Sequence, residues 1–181
     1  MRKHTGSIVT YPTGTRIWPL EPDPKRIHIE DIAHALSNLC RYTGHVSDFY
    51  SVAEHCVRLC DYGPEDIKDW LLLHDASEAY FNDLAAPVKH QPELDKYREG
   101  EARMMRAVCD RFDLDPVEPE GVKLLDLAIR TNEMRDLKGR EPRKYEPKPL
   151  AIPVLKTWAP TKAKTEFLKR AQELGIYNPV K

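Results

Sequence analysis

The sequence lacks any run of about eighteen apolar residues, the least that a membrane-spanning helix needs, and no apolar stretch follows the basic residues at its N-terminus. These two absences predict a soluble, cytoplasmic protein without membrane contact. An excess of one charge is missing too. With 28 Lys and Arg against 29 Asp and Glu, intermixed along the chain, no basic field points to duplex nucleic acid as a partner. A small anionic substrate stays open. Cysteine is scarce: Cys40, Cys56, Cys60 and Cys109 show no paired metal-ligand spacing apart from Cys56 and Cys60, four apart, and read as reduced thiols packed in a core. Internal repeats and low-complexity segments are absent, and 181 residues suit one domain.

What the chain does have is an apolar helical stripe that turns polar halfway along. Ile67, Leu71, His74, Asp75 and Glu78 recur at steps of three and four, so the inward face begins apolar and ends in a histidine and two carboxylates. A buried carboxylate must protonate or find a compensating charge, and a divalent ion offers the largest local one. The helix is predicted from the first turn after Gly63-Pro64 to about Tyr80, followed by a turn through Asn82-Asp83 and a loose helical turn near Pro87-Val88-Lys89.

The flanking elements follow from period and punctuation. Ile8 to Tyr11 and Thr15 to Trp18, joined by Pro12-Thr13-Gly14, predict a small hairpin, and Pro19 to Pro24 a surface connector. Ile32, Leu36, Leu39 and Cys40 mark a helix from Ile29 that stops near Arg41-Tyr42-Thr43-Gly44. A second helix starts near Ser51, where Ser51-Val-Ala-Glu54 has the spacing of a capping box, and its stripe of Val52, His55, Cys56 and Leu59 turns His55 inward. Pro92 opens a helix with Leu94, Tyr97, Met105, Val108 and Phe112 on its apolar side and Gly100 weakening its middle. A further helix spans roughly Glu120 to Leu137, with Asp126 on the stripe of Val122, Leu125 and Ile129. Five prolines from Gly139 through Pro160 predict an extended strap, and a last helix, about Thr161 to Leu174, closes at Gly175.

Separate helices thus offer His55, then His74 with Asp75, then Asp126. Two histidines and two carboxylates suit manganese, iron, cobalt, nickel or zinc better than calcium and leave coordination positions open. Glu78, one turn after His74, is placed to move a proton at the same opening or is an exposed helix carboxylate; Asp83 is a partner in that chemistry or a turn residue. His4, His28, His34, His45 and His90 read as structural.

In order, Ser51-Val-Ala-Glu54-His55, Leu73-His74-Asp75-Ala-Ser-Glu78, Asp83 with Pro87-Val-Lys89, and Val122-Lys123-Leu-Leu-Asp126 resemble the HD-domain phosphohydrolases, and within them the bacterial 5′-deoxynucleotidases and phage dATP triphosphohydrolases. The matched blocks reach from about Ile29 to Leu137. The resemblance implies an all-α HD-domain helical bundle, here with a small N-terminal β-hairpin and an extended proline-rich C-terminal segment, in which His55, His74, Asp75 and Asp126 hold a divalent metal. It implies that Glu78 and Asp83 position or activate the attacking water. By the same resemblance Arg41 contacts phosphate and Tyr42 packs on the base or sugar, with Lys89 a further phosphate candidate; Trp18 belongs to a base pocket or anchors the core. Related nucleotidases form dimers or larger rings, so a homo-oligomer is expected. The chain departs from the pattern in its short interval between His55 and His74 and in the hairpin and strap. The expected activity is metal-dependent hydrolysis of a deoxynucleoside mono- or triphosphate. The alternatives are HD chemistry on an alarmone or cyclic nucleotide, and a nucleotide-binding protein without turnover.

Overall fold

A computed structural model describes residues 6–153 and 155–177; His4 lies outside them. Helix takes up 58% and strand 4%, so the protein is mostly helical with one two-stranded sheet. The strands β1 (Ile8–Val9) and β2 (Arg16–Ile17) pair antiparallel, Ile8 opposite Ile17 and Val9 opposite Arg16. The helices are α1 (Ile29–Asn38), α2 (Val52–Tyr62), α3 (Lys68–Leu73), α4 (Glu78–Phe81), α5 (Ala86–Lys89), α6 (Asp95–Phe112), α7 (Glu120–Lys138) and α8 (Pro160–Glu173). None among the described residues is long and apolar enough to cross a membrane.

The hairpin is held to α1 by a buried carboxylate. Asp31, in the first turn of α1, accepts from Thr10 Oγ1 at 2.7 Å, Thr13 Oγ1 at 2.7 Å and Thr13 N at 3.0 Å. Hydrogen bonds to a charged acceptor contribute roughly 1.5–3 kcal/mol each, and an orphaned buried donor costs a similar amount. Asp31→Ala is therefore expected to lower the free energy of unfolding by about 2–3 kcal/mol. Urea denaturation measures it, and a loss within experimental error would mean that the hairpin is not anchored there.

The predicted long helix is interrupted. After α3 the hydrogen bonds tighten from i−4 to i−3, Ala76 N to Leu73 O at 2.8 Å and Glu78 N to Asp75 O at 3.0 Å, before α4 resumes. No glycine or proline marks this break; His74 contributes to it, its Nδ1 donating to the Leu71 carbonyl at 3.0 Å. At Gly100, read above as a weak point of α6, a Cβ would meet Leu20 and the Phe81 ring at 3.0 Å, so the glycine admits a close approach.

The main core cluster is centred on α1, α2 and α3, and α8 packs on both α1 and α2 with Ala163, Phe167 and Ala171 buried in it; a smaller cluster joins Tyr50, Leu137 and Leu155. Packed core thus extends past residue 137, and α8 closes at Gly175 with φ 73°. The strap is extended and tied down by side chains, since prolines cannot form a ladder. The Asn132 amide donates to Leu150 O at 3.0 Å and accepts from Leu150 N at 2.8 Å, Asp136 accepts from Leu155 N at 3.0 Å, and Glu54 accepts from Trp158 N at 2.8 Å. The four cysteines are free thiols, Cys40 half-buried and the others buried.

Candidate metal centre

α2 begins as the sequence spacing indicates, with Ser51 Oγ accepting from Glu54 N at 3.1 Å. The reciprocal half of the capping box is missing, because the Glu54 carboxylate accepts instead from Arg58, at 3.0 and 2.6 Å, and from the strap. One residue on, His55 is fully buried and reaches across to the end of α3 and to α7. His55 Nε2 lies 3.4 Å from His74 Nε2, 3.1 Å from Asp126 Oδ1 and 3.9 Å from Asp75 Oδ2, and His74 Nε2 lies 3.3 Å from Asp75 Oδ2.

The other nitrogen of each ring fixes its tautomer. His55 Nδ1 donates to Glu133 Oε1 at 2.7 Å, and His74 Nδ1 donates to the Leu71 carbonyl. Both Nε2 atoms therefore face each other and the Asp75 and Asp126 carboxylates, an arrangement that calls for a proton or a metal cation between them. Burial disfavours charge on His74, yet Asp75 outweighs it and holds the pKa well above the ordinary imidazole value; on His55, Glu133 and Asp126 likewise outweigh burial and Arg41. The cluster attracts positive charge. His55, His74 and Asp75 bring ligand atoms within 4.8 Å of one another and could hold a metal ion, with Asp126 beside them.

The carboxylates divide into two groups. Burial opposes ionisation of Asp75, Asp126 and Glu133, but the imidazoles and Arg41 hold all three below the usual carboxylate range. Glu78 goes the other way: burial first, then the charges of Asp75 and Asp83, push it well above that range, and its Oε2 is buried without a hydrogen-bond partner. Asp83, partly buried on the turn after α4, is raised by burial and Asp75 against the pull of Arg41. Two kinds of carboxyl thus share one opening, some whose ionised form is favoured and some whose protonated form is favoured.

A cavity of about 200 Å³ opens beside these groups, lined by His74, Asp75, Glu78, Lys89, Arg98 and Glu101 among others. Lys89 Nζ donates to Glu101 Oε1 at 2.7 Å. Arg41 reaches the cluster from the turn after α1, at 3.3 Å from Asp75 and 3.4 Å from Glu133. Tyr42 also turns inward, its hydroxyl donating to Glu133 Oε2 and its ring lying under Lys138, 5.1 Å from the ammonium. Trp18 sits on the hairpin with the Arg26 guanidinium 5.6 Å over its ring and does not line the cavity.

Glu133 was missed at the sequence level, although a signal exists: it lies seven residues after Asp126, two helical turns on and on the same face, with Ile129 between them. Glu101 carries no comparable mark.

The chain is 37% identical over 154 residues to the uncharacterized protein YfdR of Escherichia coli strain K12, which spans 82% of this chain and 85% of that one. It is 38% identical over 121 residues to the uncharacterized protein RCAP_rcc00048 of Rhodobacter capsulatus, over 61% of each. No protein-family model matches it.

Proposed function

We propose that this chain, which belongs to the family of Escherichia coli YfdR, is a metal-dependent phosphohydrolase of deoxynucleotides, of the HD-domain kind that its motifs resemble. The observation that carries this reading is the pair of imidazoles with both Nδ1 atoms already donating and both Nε2 atoms 3.4 Å apart beside Asp75 and Asp126. A divalent transition metal held by His55, His74, Asp75 and Asp126 would polarise a phosphoryl oxygen and acidify a water. Glu78 Oε2, buried and partnerless, is the atom to which we assign the moving proton, and Asp83 orients the water from the neighbouring turn. Arg41 and Lys89 bring positive charge to the phosphate from opposite elements, Lys89 sharing its donors with Glu101.

The cavity of about 200 Å³ is smaller than the roughly 300–1,000 Å³ of pockets for drug-sized ligands, so it suits the phosphate while sugar and base lie outside it. In this reading the protein acts in the cytoplasm, as a homo-oligomer. The test is a product assay of purified protein with cobalt or manganese on deoxynucleoside mono- and triphosphates, with orthophosphate and triphosphate quantified separately. Orthophosphate from monophosphates identifies a 5′-deoxynucleotidase, and triphosphate from dATP a triphosphohydrolase. Metal bound without turnover of any nucleotide would overturn the proposal in favour of a binding protein.

A further inference from the structure

Tyr42 and Thr43 adopt φ 58° and 55° with ψ 28° and 31°, and Gly44 follows at φ 79°. Left-handed backbone is costly for any residue with a Cβ, most of all for a β-branched one, and a run of such residues persists only where its surroundings impose it. Both ends of this turn are pinned. At its start Arg41 N donates to Tyr50 O at 2.9 Å, just before α2, and at its end Ser47 N donates to Leu137 O at 2.8 Å, in the last turn of α7. The turn is thus stretched between the helix that carries His55 and the helix that carries Glu133.

Its conformation makes two consecutive side chains converge where an extended strand would send them to opposite sides. Arg41 NH2 and the Tyr42 hydroxyl both donate to Glu133 Oε2, and the other oxygen, Oε1, accepts from His55 Nδ1 at 2.7 Å. The Glu133 side chain is wholly buried, so each of its oxygens is held and the carboxylate cannot rotate.

We propose that Tyr42 and Glu133 are positioning residues: the left-handed turn locks Glu133, and Glu133 holds the His55 Nδ1–H, which turns Nε2 toward His74, Asp75 and Asp126 as the ligand atom. The ring of Tyr42 serves as the arm of its hydroxyl. This inference rests on the reading of the cluster as a metal site, and its test separates the two.

The full-length protein and its Glu133→Ala and Tyr42→Phe variants are prepared metal-free, the His55 tautomer is read from long-range ¹H–¹⁵N NMR of the imidazole nitrogens at a pH where the ring is neutral, and cobalt(II) is titrated calorimetrically. Glu133→Ala is expected to give mixed tautomers at His55 and to weaken cobalt binding by about 10–100-fold, the usual effect of removing a ligand's outer hydrogen-bond partner. Tyr42→Phe, which keeps the ring and removes only the hydroxyl, shifts both readouts in the same direction by less and decides the matter if Glu133→Ala does not fold. Glu133→Gln restores the single tautomer, because an amide oxygen still accepts from Nδ1. An unchanged tautomer and unchanged cobalt affinity in the first two variants would overturn the proposal. Tautomers shifted in the two variants, with no cobalt bound even by the wild type, would uphold the positioning and overturn the metal site.

Discussion

His74→Ala is expected to abolish cobalt and manganese binding and to lower hydrolysis by about 10³-fold or more, since a Lewis acid contributes several kcal/mol to such a reaction and each 1.36 kcal/mol is tenfold in rate. The ring occupies the pivot of the centre. It faces His55 at 3.4 Å and Asp75 at 3.3 Å, and its Nδ1 is engaged by the Leu71 carbonyl, so no other orientation keeps its hydrogen bond. Truncation also removes the ring that helps to end α3, and the cost of that loss is separable. Circular dichroism and denaturation report it directly, while metal stoichiometry by atomic absorption reports the site. A folded His74→Ala protein that retains one tightly bound metal per chain would show that the ion is held elsewhere. Asp75→Asn should behave in the same way, having lost the carboxylate that both imidazoles and Arg41 share.

Glu78→Gln separates proton transfer from binding. The side chain has nearly the same shape, so metal content should be unchanged while kcat falls by about 10²- to 10⁴-fold, the contribution of a positioned general acid or base. Equal loss of metal and activity would make Glu78 a ligand and overturn the role assigned to it. A second readout follows from the direction of its pKa. Burial, with Asp75 and Asp83, raises the folded-state value above that of the unfolded chain, so the folded state holds the proton more tightly. The stability contributed by the protonated form is complete below the unfolded value and is lost as pH rises toward the folded one. Metal-free wild-type protein should therefore lose stability as pH rises above the unfolded carboxyl value, and Glu78→Gln should lose less. The variant should be the more stable and the less active of the two at neutral pH, the trade expected of a strained catalytic group.

Much of this molecule was legible from local pattern. Val52, His55, Cys56 and Leu59 mark one face of α2, and all are buried. Ser51 caps that helix, and the threonine-rich hairpin forms in its expected place. Two features were illegible for physical reasons. The break between α3 and α4 has no sequence breaker, because it arises from tightened hydrogen bonds and a ring nitrogen that bonds a backbone carbonyl. Glu133 sits among good helix formers and looks like any helical carboxylate until α7 docks and meets a histidine from a distant part of the chain. Tyr42 illustrates the same limit, since nothing in Arg41-Tyr42-Thr43-Gly44 foretells that its backbone turns left-handed and sends the hydroxyl to α7. Trp18, given by the resemblance as a base-pocket or core-anchor residue, lies beside the hairpin with Arg26 over its ring.

The bond between His55 and Glu133 joins residues 78 positions apart, and that between Arg41 and Glu133 spans 92. Closing loops of that length loses more entropy than closing the short turns around them, so these bonds are the costlier ones to bring together. A nascent chain that has emerged only as far as α6 already carries His55, His74 and Asp75, yet nothing fixes the tautomer of His55. In the proposed reading a complete centre would form only once α7 has docked, since Asp126 and Glu133 both lie on that helix.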